Sequence, residues 1–336
     1  MVNRRTWAAV TAANALNPYR VPGQRGAYFV TEDSVGRIIG ELEIPNYNRK
    51  VIHMHLFLPS FPPRVRMEIG NLYNEIVRNR LTRTGIGTLE PLGGLYTLHV
   101  AVLQANIAGV GHEAVALIAE EILRGLYGCT ILGELKLDFS DLASSHTHTK
   151  MGLPGCKAFW IINTYVPTVH TLSIDLTGNE LGDDGVRLLS IGSIMAMVHL
   201  RKLYLGLGNN SITDIGNLNR LESGLRAVKT LEDLHIDLQD NSIDDFGSFY
   251  LSKFRLHKNL HTLTLDCANN NIGCLGAKSL TNLIVYATDH RFGHLYLNLD
   301  RNRIGSEGVS AMAAAVATTP ITDIEVHMHG NPGSSV

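Results

Sequence analysis

The stretch LYLNLDRNRIGSEG, residues 295–308, decides how this chain folds. Successive side chains of an extended strand point to opposite faces, so Leu295, Leu297 and Leu299 share one face while Tyr296, Asn298 and Asp300 share the other. The alternation stops at Asp300, Arg301 and Asn302, residues that turn the chain and bond their own backbone, and Ile304 returns to apolar surroundings before Gly308. Alone, this would be an ordinary strand and turn.

The same order recurs. It appears as VHTLSIDLTGNEL from 169, LRKLYLGLGNNSI from 200, LEDLHIDLQDNSI from 231 and LHTLTLDCANNNI from 260, with the opening example starting at FGHLYLNLDRNRI from 292. Weaker copies are VIHMHLFL from 51, LYTLHVAVLQANI from 95, LGELKLDFSDL from 132 and ITDIEVHMHGN from 321. These nine starts lie 44 residues apart at the beginning of the chain and 29 apart at the end. Self-similarity at such a period is the signature of a solenoid, in which each unit buries its apolar face only by stacking on its neighbours.

The order L-x-x-L-x-L-x-L-x-x-N-x-I-x-x-x-G resembles a leucine-rich repeat, closest to the long, helix-containing ribonuclease-inhibitor-like type. The resemblance covers residues 50–331. It implies an α/β solenoid, a horseshoe with parallel strands on the concave face and helices on the convex face. An extra x-L pair before the asparagine makes the strand read about two residues longer than the family pattern. The copies from 51 and 132 lack the asparagine, and Asn106 falls one place late. The expected organisation is an N-terminal basic arm and cap over 1–50, nine repeats over 51–331 with the first three degenerate, and a tail over 332–336.

Aligned on their starts, the repeats give two inward apolar columns, one from Met54 and Leu98 to Ile324 and one from Leu56 and Val100 to Val326. Asn179, Asn210, Asn241, Asn270, Asn302 and Asn331 fall ten residues after each start, where an amide can satisfy the backbone of a turn that lacks ladder partners. They are structural. Gly111, Gly185, Gly216, Gly247, Gly276 and Gly308 come six later, where the chain enters the next helix. Between strands the apolar period becomes helical in HEAVALIAEEIL from 112, DDGVRLLSIGSIMAM from 183, GAKSLTNLIVY from 276 and SEGVSAMAAAVA from 306, with Asp or Ser expected as caps.

Composition fits a globular chain: 336 residues, 45% hydrophobic, 18% charged, net charge −2. The bulk charge points to no nucleic-acid partner. Cys129, Cys156, Cys267 and Cys274 form no C-x-x-C pair, so a reduced compartment is expected rather than a disulfide framework. No apolar run approaches the roughly 20 residues of a membrane span, and no secretory signal opens the chain. From Met1 to Thr31 there is no acidic residue, while Arg4, Arg5, Arg20 and Arg25 supply positive charge and WAAVTAANAL has weak helical amphipathicity. Mitochondrial presequences share these features; a basic arm packed on the first repeat is the alternative.

Reactive motifs are sparse. G-V-G-H-E-A from 109 lacks the third glycine of a dinucleotide turn, and GIGTLEPLGG, 85–94, lacks the Lys-Ser/Thr ending of a phosphate loop and reads as a linker. No serine sits in a nucleophile elbow. The pairs His53 and His55, His146 and His148, and His327 and His329 could each put two imidazoles on one face, but no third ligand converges on them in the sequence. The expectation is no catalytic residue, no metal and no cofactor.

The outward faces of the strands remain. One column reads His55, His99, Lys136, Ser173, Tyr204, His235, Thr264, Tyr296, Glu325, and the next Phe57, Ala101, Asp138, Asp175, Gly206, Asp237, Asp266, Asn298, His327. Adjacent like charges in the second column cost stability unless a cation, water or a basic partner compensates. The expected interface is therefore Asp138, Asp175, Tyr204, His235, Asp237, Asp266, Tyr296 and Asn298, receiving Lys or Arg from a partner protein. The chain reads as a non-catalytic protein-protein interaction scaffold, an architectural or accessory subunit of a large complex, in the mitochondrion or else the cytoplasm and not secreted. It takes no small-molecule substrate. One alternative is a ribonucleoprotein component with its arm on RNA; another is an enzyme-regulating inhibitor.

Overall fold

The structure, a computed structural model, describes residues 27–30, 51–57 and 97–103, residues 116, 119–120 and 123, and residues 132–335 apart from 141–149, 160–161, 192–195, 214–216, 255–258, 290–292 and 320–322. Ten strands form one parallel sheet in sequence order: β1 (Ala27–Val30), β2 (Val51–Phe57), β3 (Thr97–Leu103), β4 (Glu134–Asp138), β5 (Thr171–Asp175), β6 (Lys202–Gly206), β7 (Asp233–Asp237), β8 (Thr262–Asp266), β9 (His294–Asn298) and β10 (Ile324–His327). Helices α1 (Gly152–Phe159), α2 (Ile162–Tyr165), α3 (Gly182–Ile191), α4 (Asn217–Ala227), α5 (Asp245–Leu251), α6 (Cys274–Asp289) and α7 (Ser306–Thr318) return the chain between the later strands. The result is an α/β solenoid. β1 lies within the segment read as arm and cap and adds a strand to that edge.

The inward columns form as the alternation requires. Leu135, Leu172, Leu203, Leu234, Leu263 and Leu295, and beside them Leu137, Ile174, Leu205, Ile236, Leu265 and Leu297, are all buried. Each such side chain contributes about 1.5–3 kcal/mol when fully buried. Ile324 and Val326, on the terminal strand, are only partly buried. The extra x-L pair also has a structural meaning, because the parallel hydrogen bonds run on past the strand ends. Leu207 N donates to Asp237 O and Asn209 N to Gln239 O, both at 2.8 Å.

The register of β2 differs from the alignment by sequence. His53, not His55, lies beside His99, and Met54 lies beside Val100. A two-residue slip keeps every side chain on its own face, so alternation cannot detect it, and this repeat has no asparagine to fix its phase.

The six asparagines tie each repeat to the one before. Asn241 is typical: its Oδ1 accepts from the N–H groups of Asn210 at 3.0 Å and Ile212 at 2.9 Å, and its Nδ2 donates to the carbonyls of Leu207, Leu238 and Gln239. Asn210 makes the same bonds one repeat earlier, to the N–H groups of Asn179 and Leu181 and the carbonyls of Leu176 and Gly208. Asn179, Asn270, Asn302 and Asn331 accept from Met151, Ile243, Ile272 and Ile304 in turn. The residue before each asparagine is left-handed: Gly178, Asn209, Asp240, Asn269, Arg301 and Gly330 have φ between 49° and 74°. Gly, Asn and Asp tolerate that region best, so Arg301 is the exception.

The segment read as a tail closes the ladder. Pro332–Ser335 forms a 3-10 turn. Asn179 and Asn210 donate their N–H groups to the next asparagine, but Asn331 N donates to Ser334 Oγ at 3.1 Å, while Gly333 N reaches Ile304 O at 2.8 Å.

The expected helix caps are partly replaced. Ser306 is the first residue of α7, whose cap is Gly305 without a side-chain bond. Asp183 instead crosses to the next repeat, accepting from Thr213 N at 2.8 Å and Thr213 Oγ1 at 2.6 Å. Asp245 does the same for the N–H groups of Gly273 and Gly276, both at 2.7 Å. Asp244 caps α5. At Gly308 an added Cβ would stand 2.7 Å from Ile304 Cγ2 and 3.1 Å from Cys274 Cα, so close approach of α7 to α6 requires glycine there.

Candidate partner-binding face

The open face of the sheet carries the expected residues in the expected columns. Asp138 lies beside Asp175, Gly206 follows, then Asp237 beside Asp266, then Asn298 and His327. Tyr204 and His235 are also neighbours, their rings 4.8 Å apart, and Tyr296 lies 5.2 Å from the His327 ring.

Each aspartate has a local duty that the sequence reading missed. Asp138 Oδ1 accepts from Ser140 N and Oγ, Asp175 Oδ1 from Thr177 N and Oγ1, Asp237 Oδ1 from Gln239 N, and Asp266 Oδ1 from Ala268 N. A carboxylate accepting the N–H two residues on is the Asx turn, and it ends each strand. The periodic Asp-x-Ser/Thr of the repeats from 132 and 169 was the signal. Gly206 has a reason too: a Cβ there would lie 2.4 Å from Asp175 Oδ1, so the Asp175 carboxylate occupies the space a side chain would need.

Local bonds leave the charge in place. Burial raises the Asp237 carboxyl above the usual carboxylate range, and Asp266 and Asp175 add to the shift. Burial and the surrounding Asp175, Asp237 and Asp138 hold the Tyr204 phenol far above its ordinary value. Burial lowers the His235 imidazole, with Asp266 opposing it. Among the described residues no Lys or Arg salt bridge reaches these four aspartates, whereas at the other end of the strands Lys202 pairs with Asp233 at 2.8 Å. Between the two ends lies a depression of about 450 Å³ lined by Lys136, Ser173, Tyr204, His235 and Thr264.

Cys156 and Cys267 are buried free thiols, and burial pushes the Cys156 thiol up to about 12, far from a reactive thiolate. Arg4, Arg5, Arg20 and Arg25, the G-V-G-H-E-A turn, residues 85–94 and the His146 and His148 pair all lie outside the described residues.

The model of a family described as Leucine Rich repeat matches residues 170–190 and 295–313, the two ends of the regular part of the sheet. These are leucine-rich repeats. No curated protein matches the chain. A solved structure of an internalin from Listeria monocytogenes is similar at 15% identity over 72% of this chain and 79% of that one, with a TM-score of 0.28. The solenoid rests on this chain's own ten-stranded parallel sheet and asparagine ladder.

Proposed function

We propose that this protein is a non-catalytic interaction scaffold that receives a basic segment of a partner protein on its open strand face, as an accessory subunit of a larger assembly. The observation that supports this is the column Asp138, Asp175, Asp237, Asp266, four carboxylates within five strands with no Lys or Arg salt bridge among the described residues. Tyr204, His235 and Tyr296 flank it with aromatic surface of the kind enriched at interfaces. A mitochondrial location is part of the reading through the acid-free segment with Arg4, Arg5, Arg20 and Arg25.

Affinity purification of the tagged full-length protein from its native cells tests the proposal, with and without ribonuclease, beside a chain lacking residues 1–31 and an Asp175→Lys/Asp237→Lys variant. The expected result is one defined protein set, insensitive to ribonuclease and lost from the double variant. Retention of that set by the double variant would remove the acidic face as the interface. Loss on ribonuclease or arm deletion would favour the ribonucleoprotein reading.

A further inference from the structure

The last strand described, β10, ends at His327, and Met328 and His329 follow it. Met328 packs toward the core, so both imidazoles fall on the open side. The fold supplies the third group that the linear sequence did not show. His327 lies beside Asn298 in the register, and the parallel bonds Leu299 N to His327 O and Arg301 N to His329 O carry the pairing on, bringing Asp300 to His329. His329 N donates to Asp300 Oδ1 at 2.6 Å, and Arg301 N donates to His329 O at 2.7 Å, so the backbone of both segments is fixed.

One ligand atom from each of Asp300, His327 and His329 lies within 4.8 Å of the other two. His329 Nδ1 stands 3.3 Å from Asp300 Oδ1. Tetrahedral zinc, with bonds of about 2.0–2.2 Å, separates its ligands by about 3.3–3.5 Å. That edge is already at length, and the others, within 4.8 Å, close by at most about 1.5 Å on side-chain rotation of His327 and of His329, whose side chain is 83% exposed. Glu325 Oε2 lies 3.5 Å from His327 Nε2 and the Tyr296 ring packs on His327, so a carboxylate and a ring are on hand to orient this imidazole.

We propose that Asp300, His327 and His329 bind a divalent transition-metal ion of the zinc class, with water in the fourth position. Two imidazoles and one carboxylate favour zinc and its late first-row neighbours over magnesium or calcium, which take all-oxygen shells. Asp300 belongs to the repeat of β9 and both histidines to that of β10, so the ion staples the terminal repeat to its predecessor. Ile324 and Val326 of β10 are only partly buried, so this repeat gains more from such a staple than those whose inward columns are fully buried.

The test is calorimetric titration of the full-length protein with zinc chloride and, separately, magnesium chloride, together with hydrogen exchange at residues 324–327. The expected result is one saturable zinc equivalent, no magnesium heat, and zinc-slowed exchange at β10. His329→Ala and His327→Ala should each weaken zinc binding by at least about tenfold and abolish the exchange effect. An unchanged melt in chelator shows that each variant is folded. The proposal is overturned if the wild type shows no saturable binding, if magnesium binds equally well, or if the folded variants bind zinc like the wild type.

Discussion

Replacing Asn241 by alanine removes one rung of the asparagine ladder from the middle of the solenoid. Its Oδ1 is the acceptor for the Asn210 and Ile212 N–H groups at 3.0 and 2.9 Å, and both residues are buried. A buried donor stripped of its partner costs about 1–3 kcal/mol. Two such donors, with the Leu207 and Leu238 carbonyls losing their amide as well, give a destabilisation of about 3–5 kcal/mol after partial relaxation. Asn331→Ala is the internal comparison, because its Oδ1 accepts only Ile304 N among the described residues, at 3.1 Å. About half the loss is expected there. Urea midpoints measure both, and hydrogen exchange locates the effect, which should centre on the amides of Asn210 and Ile212. A loss below about 1 kcal/mol for Asn241→Ala, or unchanged exchange at those two amides, would refute the ladder as the element joining repeats.

The Asp237 carboxyl is raised, so its contribution to stability is full below the unfolded value and is lost as pH rises through the folded one, leaving a cost at neutral pH. Asp237→Asn should therefore melt at the same or a higher temperature at pH 7 while binding a basic partner about tenfold more weakly, the worth of one charge-assisted bond of about 1.5 kcal/mol. His235 is lowered by burial, so its contribution is present above the ordinary value near 6.5 and is lost as pH falls through the folded one; His235→Phe should flatten the urea midpoint between pH 7.5 and 5.5. Arg301→Gly relieves a left-handed φ of 54°, and the melt should rise by the equivalent of up to about 1 kcal/mol, since about 1–2 kcal/mol of strain exceeds the entropy cost of glycine. Gly308→Ala forces α7 away from Cys274 and Ile304 and should cost about 1–3 kcal/mol in chemical unfolding.

Period-two alternation showed the strands, and the asparagine recurring at Asn179, Asn210, Asn241, Asn270, Asn302 and Asn331 showed how those repeats stack. Part of what stayed hidden involves contacts across repeats. Asp183 and Asp245 look like helix caps locally, yet their carboxylates serve the following repeat. The acidic column was legible as charge but not as a row of Asx turns, although the serine and threonine after Asp138 and Asp175 hinted at it. The left-handed position could have been read from Gly178, Asn209, Asp240, Asn269 and Gly330, all residue types that accept it. Asp300 could not be joined to His327 and His329 without the register, because a third ligand from the neighbouring strand follows no fixed sequence spacing.

The asparagine ladder also gives the chain a direction in time. Each asparagine bonds its own turn and also completes the turn of the repeat before it, so a repeat emerging from the ribosome stays unfinished until its successor has been made. Folding during synthesis then advances one unit behind the growing end, and at Asn331 the Ser334 hydroxyl takes the N–H bond that Asn179 and Asn210 give to the next asparagine. Premature termination anywhere within the repeats would leave an open rung, marking the truncated chain as incomplete even where every preceding repeat has stacked.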